Sequence, residues 1–342
     1  MDALGWAGAW GVQLAGQTFV CLALGLWAAA RCDRTPARSH AVVLLAMAAA
    51  VLSPVATRTV RGLNGGLFVG PAPPTVYRVA DDPRAAASGH HRDTTGELLA
   101  AAWAVGAAVL LVGLGVGYVR GRRLVARAEP VRDAALLANL AAARAALGLR
   151  AEPELRSSPE VPTPMAWGWG RSPVVLIPDE AAGRADGVDW VSVFVHELAH
   201  IGRRDHLTTL FADVAAALLF WNPAVWLARR QLARASEFAC DDRVVIAGKS
   251  PVDFAVTLLA LRREALVPRA AAPTLIGSRA GLKARVRRLL QVVDPPARLG
   301  SVRAAAAVGV AALIVVGLAV AQTRPGPRPE ESSAAPSVLT AG

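Results

Sequence analysis

Val195-His196-Glu197-Leu198-Ala199-His200 is the stretch around which the rest of the chain has to fold. It continues an apolar run, Asp189-Trp190-Val191-Ser192-Val193-Phe194-Val195, and neither Gly nor Pro interrupts the chain between Val188 and Ile201. A helix is the natural state of such a run. On a helix, His196 and His200 stand one turn apart and share a face. Two imidazoles at that spacing can hold one zinc ion from the same side. Glu197 then lies beside the first of them, where its carboxylate can reach a water activated by the metal and act as general base. The competing reading is a helix that carries two histidines and a glutamate by coincidence. A chain of this length shows the pattern by chance on the order of one time in a hundred, so the metal reading is preferred.

A catalytic zinc site takes three protein ligands and leaves a fourth position for water. The third ligand is sought downstream, in Ala235-Ser236-Glu237-Phe238-Ala239-Cys240-Asp241-Asp242. Glu237 and Asp241 are one helical turn apart and face the same way. Glu237 can ligate, and Asp241 can accept the spare N–H of a ligating histidine and fix its tautomer. Cys240 competes as a soft ligand, although a buried small apolar residue is the simpler reading. Asp242 and Arg243 read as a charged helix face.

Composition places this site in a membrane protein. The 342 residues are 54% hydrophobic and carry a net charge of +11, and the apolar residues are clumped into long runs. Cys21, Cys32 and Cys240 are widely spaced and imply no disulfide framework, which suits a domain facing a reducing cytosol. Four membrane spans are expected, at about 6–30, 41–56, 98–118 and 304–321. The first lacks the basic leader of a signal peptide, since only Asp2 precedes it, and reads as a retained helix. Residues 57–96 form a Gly-, Pro- and Arg-rich external loop, in which His90 and His91 read as solvent-exposed. Arg31, Arg34 and Arg38, then Arg120, Arg122 and Arg123, then Arg298 and Arg303 crowd the span ends. By the positive-inside rule those ends are cytoplasmic, with the N-terminus and the tail outside. The chain divides into a membrane region at 1–118, a cytoplasmic domain at 119–303, a fourth span at 304–321 and a short disordered external tail at 322–342.

One further apolar run, Leu207 to Ala228, has the length of a fifth span. Zinc chemistry forbids that reading. His200 precedes the run and Glu237 follows it, and both must lie about 2 Å from one metal, whereas a span would part them by about 30 Å. The run must fold back, and Asn222-Pro223 is the place for it. A helical hairpin partly dipped into the membrane is expected, with Trp221 and Trp226 at an interfacial level. A hairpin in a soluble core is the alternative.

Upstream of the metal helix, residues 130–147 read as a helix stopped by Gly148, and 154–157 and 173–178 as strands. Proline brackets the second strand, which suggests a sheet edge. Val174, Val175, Leu176 and Ile177 are therefore expected to hold an extended substrate backbone by strand addition. An ordinary sheet edge is the equal alternative. Thr163 to Gly170 would be the turn leading into it. Ser250-Pro251 starts another helix, running to about Leu266, and Lys283 to Leu290 a short basic amphipathic one.

The motifs together resemble the BlaR/MecR-type membrane zinc metallopeptidases, the receptors that answer β-lactams in some bacteria. The matching residues run from Thr163 to about Val245: T-P-M-A-W-G, R-S-P-V-V-L-I-P, H-E-L-A-H, R-R-D-H, F-W-N-P-A-V-W and E-F-A-C-D-D. The resemblance implies a gluzincin-like α+β domain set among membrane spans. It implies one zinc per chain, with His196, His200 and Glu237 as ligands and Glu197 as the catalytic residue. It also implies an antirepressor role, the substrate being a cytosolic transcriptional repressor or the protease itself. The β-lactam receptors carry a penicillin-binding sensor after the last span. Here about 20 Pro/Ser/Ala-rich residues follow Gln322 without an S-x-x-K serine site, too few to build a core.

The expected reaction is peptide hydrolysis, with His206 and Arg243 as candidate oxyanion donors. His206 with Asp205 also reads as a helix start. The rival classes are a general membrane protease, of quality control or prenyl-protein processing, and a non-catalytic zinc scaffold. The W-N-P stretch and the four-span layout count against the first, and Glu197 against the second. A pI of about 11.0 raises nucleic acid as a partner. The basic residues are almost all Arg beside membrane spans, where anionic lipid accounts for them better. A homodimer is left open.

Overall fold

Three long apolar helices begin the computed structural model, which describes residues 3–32, 35–62, 68–69, 94–168, 172–182, 188–264, 279–291, 317 and 323–324. They are α1 (Ala3–Ala30), α2 (Pro36–Gly62) and α3 (Thr94–Arg127). Each contains a segment long and apolar enough to cross a membrane: Gln13–Ala30, Pro36–Val60 and Thr94–Arg127. In α3 only 6% of the apolar window is buried within the protein. So large an exposed apolar surface calls for a lipid environment. The apolar run at 304–321 lies outside the described residues apart from Gly317. Between α2 and α3, β1 (Phe68–Val69) pairs in parallel with a distant two-residue strand, Thr323–Arg324.

After α3 the chain builds a small mixed sheet: β2 (Glu129–Pro130), helix α4 (Ala134–Leu147), then β3 (Glu154–Ser158), β4 (Met165–Trp167) and β5 (Val174–Pro178). Asp133 caps α4, accepting from the N–H groups of Ala135 and Leu136. Gly148 ends it at φ 60°, a conformation that glycine adopts without strain. The sheet order is β2-β3-β5-β4, with β5 parallel to β3 and antiparallel to β4.

This order corrects one expectation. Val174–Ile177 is an interior strand, paired on both sides, and the sheet edge at that end is β4. Pro173 precedes the strand and Pro178 ends it, so neither removes a donor the ladder needs. The unbroken apolar run was the better signal, since a strand covered on both faces loses its alternation. Val175, Leu176 and Ile177 are fully buried.

The helical half follows: α5 (Asp179–Ala182), α6 (Trp190–Arg203), α7 (Asp205–Leu218), α8 (Pro223–Ile246), α9 (Pro251–Glu264) and α10 (Arg279–Gln291), with β6 the strand at Thr323–Arg324. The reversal between α7 and α8 falls at Asn222, whose side chain caps α8 by accepting from the Ala224 N–H, with Pro223 in the first turn. The tip of this hairpin is held among the long helices. The Trp103 indole N–H of α3 donates to the Leu218 carbonyl at 2.9 Å. Phe220 fills the space a side chain would need at Gly106, and Asn222 donates to the Thr18 hydroxyl of α1 at 3.3 Å. Trp103 and Gly106 lie inside the apolar part of α3, so the tip packs against that apolar segment.

Two cores result. One gathers α4, the sheet, α6, α9 and α10 around Leu136, Val175, Phe194, Leu198 and Phe254. The other joins α1 and α2 to the α7–α8 hairpin through Leu22, Met47, Ala216 and Val225. The site helix α6 and its partner α8 are therefore anchored to the long apolar helices.

Candidate metal centre

Asp189 fixes the start of α6. It accepts from the Ser192 N–H at 3.2 Å and the Ser192 hydroxyl at 2.6 Å, and Lys249 donates to it at 3.1 Å. Trp190, Phe194 and Leu198 bury one flank of the helix and so set its rotation. His196 and His200 project on the flank that meets α8.

Three potential ligand side chains converge there. His196 Nε2 and His200 Nε2 are 3.3 Å apart. Glu237 Oε2 lies 3.6 Å from the first and Glu237 Oε1 3.6 Å from the second. Ligands held about 2.0–2.1 Å from a tetrahedral zinc stand roughly 3.3–3.4 Å from one another. In this triangle the two imidazole nitrogens have that spacing and each imidazole has a Glu237 oxygen close to it, so this donor set fits a tetrahedral ion with one position left over. Glu197 sits half-buried on the next position of α6. Burial raises its carboxyl pKa, against the pull of the neighbouring imidazoles.

Each imidazole has a carboxylate behind it. Asp241 Oδ1 lies 3.1 Å from His196 Nδ1, and Asp205 Oδ2 lies 2.9 Å from His200 Nδ1. With both Nδ1 atoms protonated, both Nε2 lone pairs point into the triangle. Sequence reasoning found Asp241 and gave Asp205 no part in the site. Asp205 reaches His200 because Arg204 takes a left-handed turn at φ 59°, folding the start of α7 back under the end of α6. Nothing in Arg203-Arg204-Asp205 advertises that turn, since glycine is its usual occupant. Asp205 Oδ2 also accepts from the Ser236 hydroxyl at 2.7 Å and Arg203 Nε at 3.2 Å. On the far side, His40 Nε2 of α2 stands 3.9 Å from Asp205 Oδ1.

The second omission is Arg285, on α10. Its Nη2 donates to Asp241 Oδ1 at 2.6 Å and its Nε to Asp241 Oδ2 at 3.0 Å, while its Nη1 forms an ion pair with Glu237 Oε2 at 2.9 Å and its Nη2 also lies 3.3 Å from His196 Nε2. In the sequence it was one arginine among several in a basic amphipathic helix. Burial pushes the Glu237 and Asp241 pKa values up, but Arg285 and His196, joined by His200 at Glu237, outweigh it and hold both carboxyls below the usual range. Burial and Arg285 push the His196 imidazolium down. Asp241 and Glu237 outweigh both, and its pKa rises to about 9.

The remaining candidates sit elsewhere. Arg243 is exposed on α8, so the buried cation beside the triangle is Arg285. His206 is half-buried in the first turn of α7, its pKa lowered by burial. Asp242 is buried in an ion pair with Arg288. Cys240 lies fully buried 3.4 Å from His200 Nδ1. Cys240, His200 and Asp205 form a second group that could hold an ion. Burial and the neighbouring carboxylates keep the thiol protonated, and His200 Nδ1 already faces Asp205. Cys240 packs there as a small apolar residue. Of the sheet, the strand in contact with α6 along the site helix is β4 as well as β5.

A buried pair of histidines and a glutamate beside a second carboxylate, set among long apolar helices, defines a membrane metallopeptidase class of site. The chain belongs to the BlaR1 peptidase M56 family, which it matches across residues 8–289. It is 25% identical to the Regulatory protein BlaR1 of Bacillus licheniformis over 145 residues, 42% of this chain. The match spans 24% of that protein's length. The family is one of metallopeptidases, which implies a metal, and the relative is named as a regulatory protein.

Proposed function

We propose that the chain is a zinc endopeptidase of a bacterial signalling system, acting at the cytoplasmic face of the membrane on a transcriptional repressor, on itself, or on both. The observation that carries this reading is the ligand-sized triangle of His196, His200 and Glu237 with Glu197 beside it. Zinc held there would supply a Lewis acid and lower the pKa of a bound water. Glu197 takes the proton from the attacking water and returns it to the leaving amine. Burial raises its carboxyl pKa, which makes it a better proton acceptor than an exposed glutamate. Asp241 and Asp205 hold the two imidazoles in the tautomer that ligation needs.

Strand β4 is the candidate substrate rail. It is the sheet edge nearest α6 among the described residues, and an extended peptide can add to its open side. The basic helix ends at Arg31, Arg38, Arg120, Arg122 and Arg123 support a cytoplasmic site. The parallel pairing of Phe68–Val69 with Thr323–Arg324 supports the four-span reading. Anionic lipid is the expected partner of the basic residues, and no direct nucleic-acid contact is proposed.

The test is co-expression with the regulator encoded beside the gene, comparing the native chain with Glu197→Gln. The expected result is a regulator shortened only by the native chain. Shortening by both proteins, or by neither under any inducing condition, removes the repressor reading.

A further inference from the structure

We propose that Arg285 is a positioning residue that makes Glu237 a one-oxygen ligand and so keeps the fourth metal position open for water. The inference rests on the zinc-peptidase reading above and adds to it a residue on a third helix, α10.

The geometry is a fork across two carboxylates. Nη1 forms an ion pair with Glu237 Oε2 at 2.9 Å, while Nη2 and Nε close a two-point pair on Asp241 at 2.6 and 3.0 Å, with Nη2 also 3.3 Å from His196 Nε2. The Arg285 side chain is 15% exposed and that of Asp241 1%, so the pair on Asp241 forms away from bulk water and is stronger for it, and it fixes the guanidinium beside the more exposed Glu237. Both Glu237 oxygens face an imidazole, Oε2 at 3.6 Å from His196 Nε2 and Oε1 at 3.6 Å from His200 Nε2, and with Oε2 held by the Arg285 charge, Oε1 is the oxygen left for the metal. Without the fork, both oxygens of Glu237 are free to chelate. A chelating carboxylate would take the position that a catalytic zinc site reserves for water.

Charge argues the same way. Glu197, Asp205, Glu237 and Asp241 surround two imidazoles in a largely buried volume. One divalent ion does not balance them. Arg203 faces Asp205, and Arg285 supplies the matching charge for Glu237 and Asp241. A lysine at 285 would keep the charge but not the planar fork that spans both carboxylates.

The experiment uses the full chain in detergent, loaded with Co2+ for absorption and with Zn2+ for X-ray absorption at the metal edge. Native protein, Arg285→Met, Arg285→Lys and Arg288→Met are compared. Arg288 lies on the same helix but pairs with Asp242, so Arg288→Met controls for damage to α10. The expected native spectrum is four-coordinate. Arg285→Met should shift toward five-coordinate, with weaker visible bands, and lose about 10- to 100-fold in kcat with KM little changed. Arg285→Lys should fall between the two, and Arg288→Met should match the native protein. Native coordination and kcat in Arg285→Met would overturn the proposal. Should Arg285→Met fail to fold, a native spectrum and kcat in Arg285→Lys would overturn it equally. A native chain that binds neither metal would instead remove the zinc-peptidase reading itself.

Discussion

Replacing Asp205 by Asn tests whether the site depends on a contact that the sequence hides. Asp205 Oδ2 accepts from His200 Nδ1 at 2.9 Å, the Ser236 hydroxyl at 2.7 Å and Arg203 Nε at 3.2 Å. Asparagine keeps one oxygen in place but removes the charge. A hydrogen bond to a charged group contributes roughly 1.5–3 kcal/mol and a neutral one roughly 0.5–1.5. The His200 bond therefore weakens by about 1–1.5 kcal/mol, close to tenfold in metal affinity. Asp205→Ala, which also loses the oxygen, should approach the 100-fold end of the range for groups that orient a ligating histidine. The assay is chelator competition for zinc on the solubilised protein, with circular dichroism to show that the helices persist. Asp241→Asn should give a similar loss through His196. Native zinc affinity in folded Asp205→Ala would refute the claim that this carboxylate orients a ligand.

Glu197→Gln should lower peptide hydrolysis by about 10²- to 10⁴-fold while zinc content stays native; a loss of zinc in step with activity would assign Glu197 to ligation instead. With the His196 pKa raised to about 9, the metal-free imidazole is protonated at neutral pH, and zinc must displace that proton. Zinc affinity should thus rise about tenfold per pH unit up to near 9, then level off. Calorimetry in buffers of different ionisation heat should find a proton released per zinc at pH 7, and its absence would sink the argument. Gly121→Ala would normally favour a helix, but its Cβ would meet Trp167 Cη2 at 2.2 Å. The indole must move, and β4 with it, so KM for peptide should rise while zinc affinity holds. An unchanged KM would separate β4 from substrate binding.

How much of this was legible depends on how local each feature is. The shared face of His196 and His200 follows from helical spacing alone, as does the pairing of Glu237 with Asp241 on one face of α8. Three apolar helices could be read from run length, and the reversal at Asn222-Pro223 from the cap and the proline. The strand at 174–178 was legible as a strand, but its neighbours were not. Proline at both ends pointed to an edge, and only the pairing with β3 and β4 shows that those prolines spare the ladder.

What the sequence determined by itself is therefore what one helical turn or one cap can fix: two imidazoles, the glutamate between them, and the turn that lets a distant carboxylate return. The tertiary structure decided the rest. Asp205 comes under His200 through a left-handed arginine, Arg285 arrives from α10, and β4 rather than β5 takes the open edge. Each of these joins groups with no periodic relation along the chain. Their placement is set by which apolar faces bury against one another, and a linear pattern does not record that.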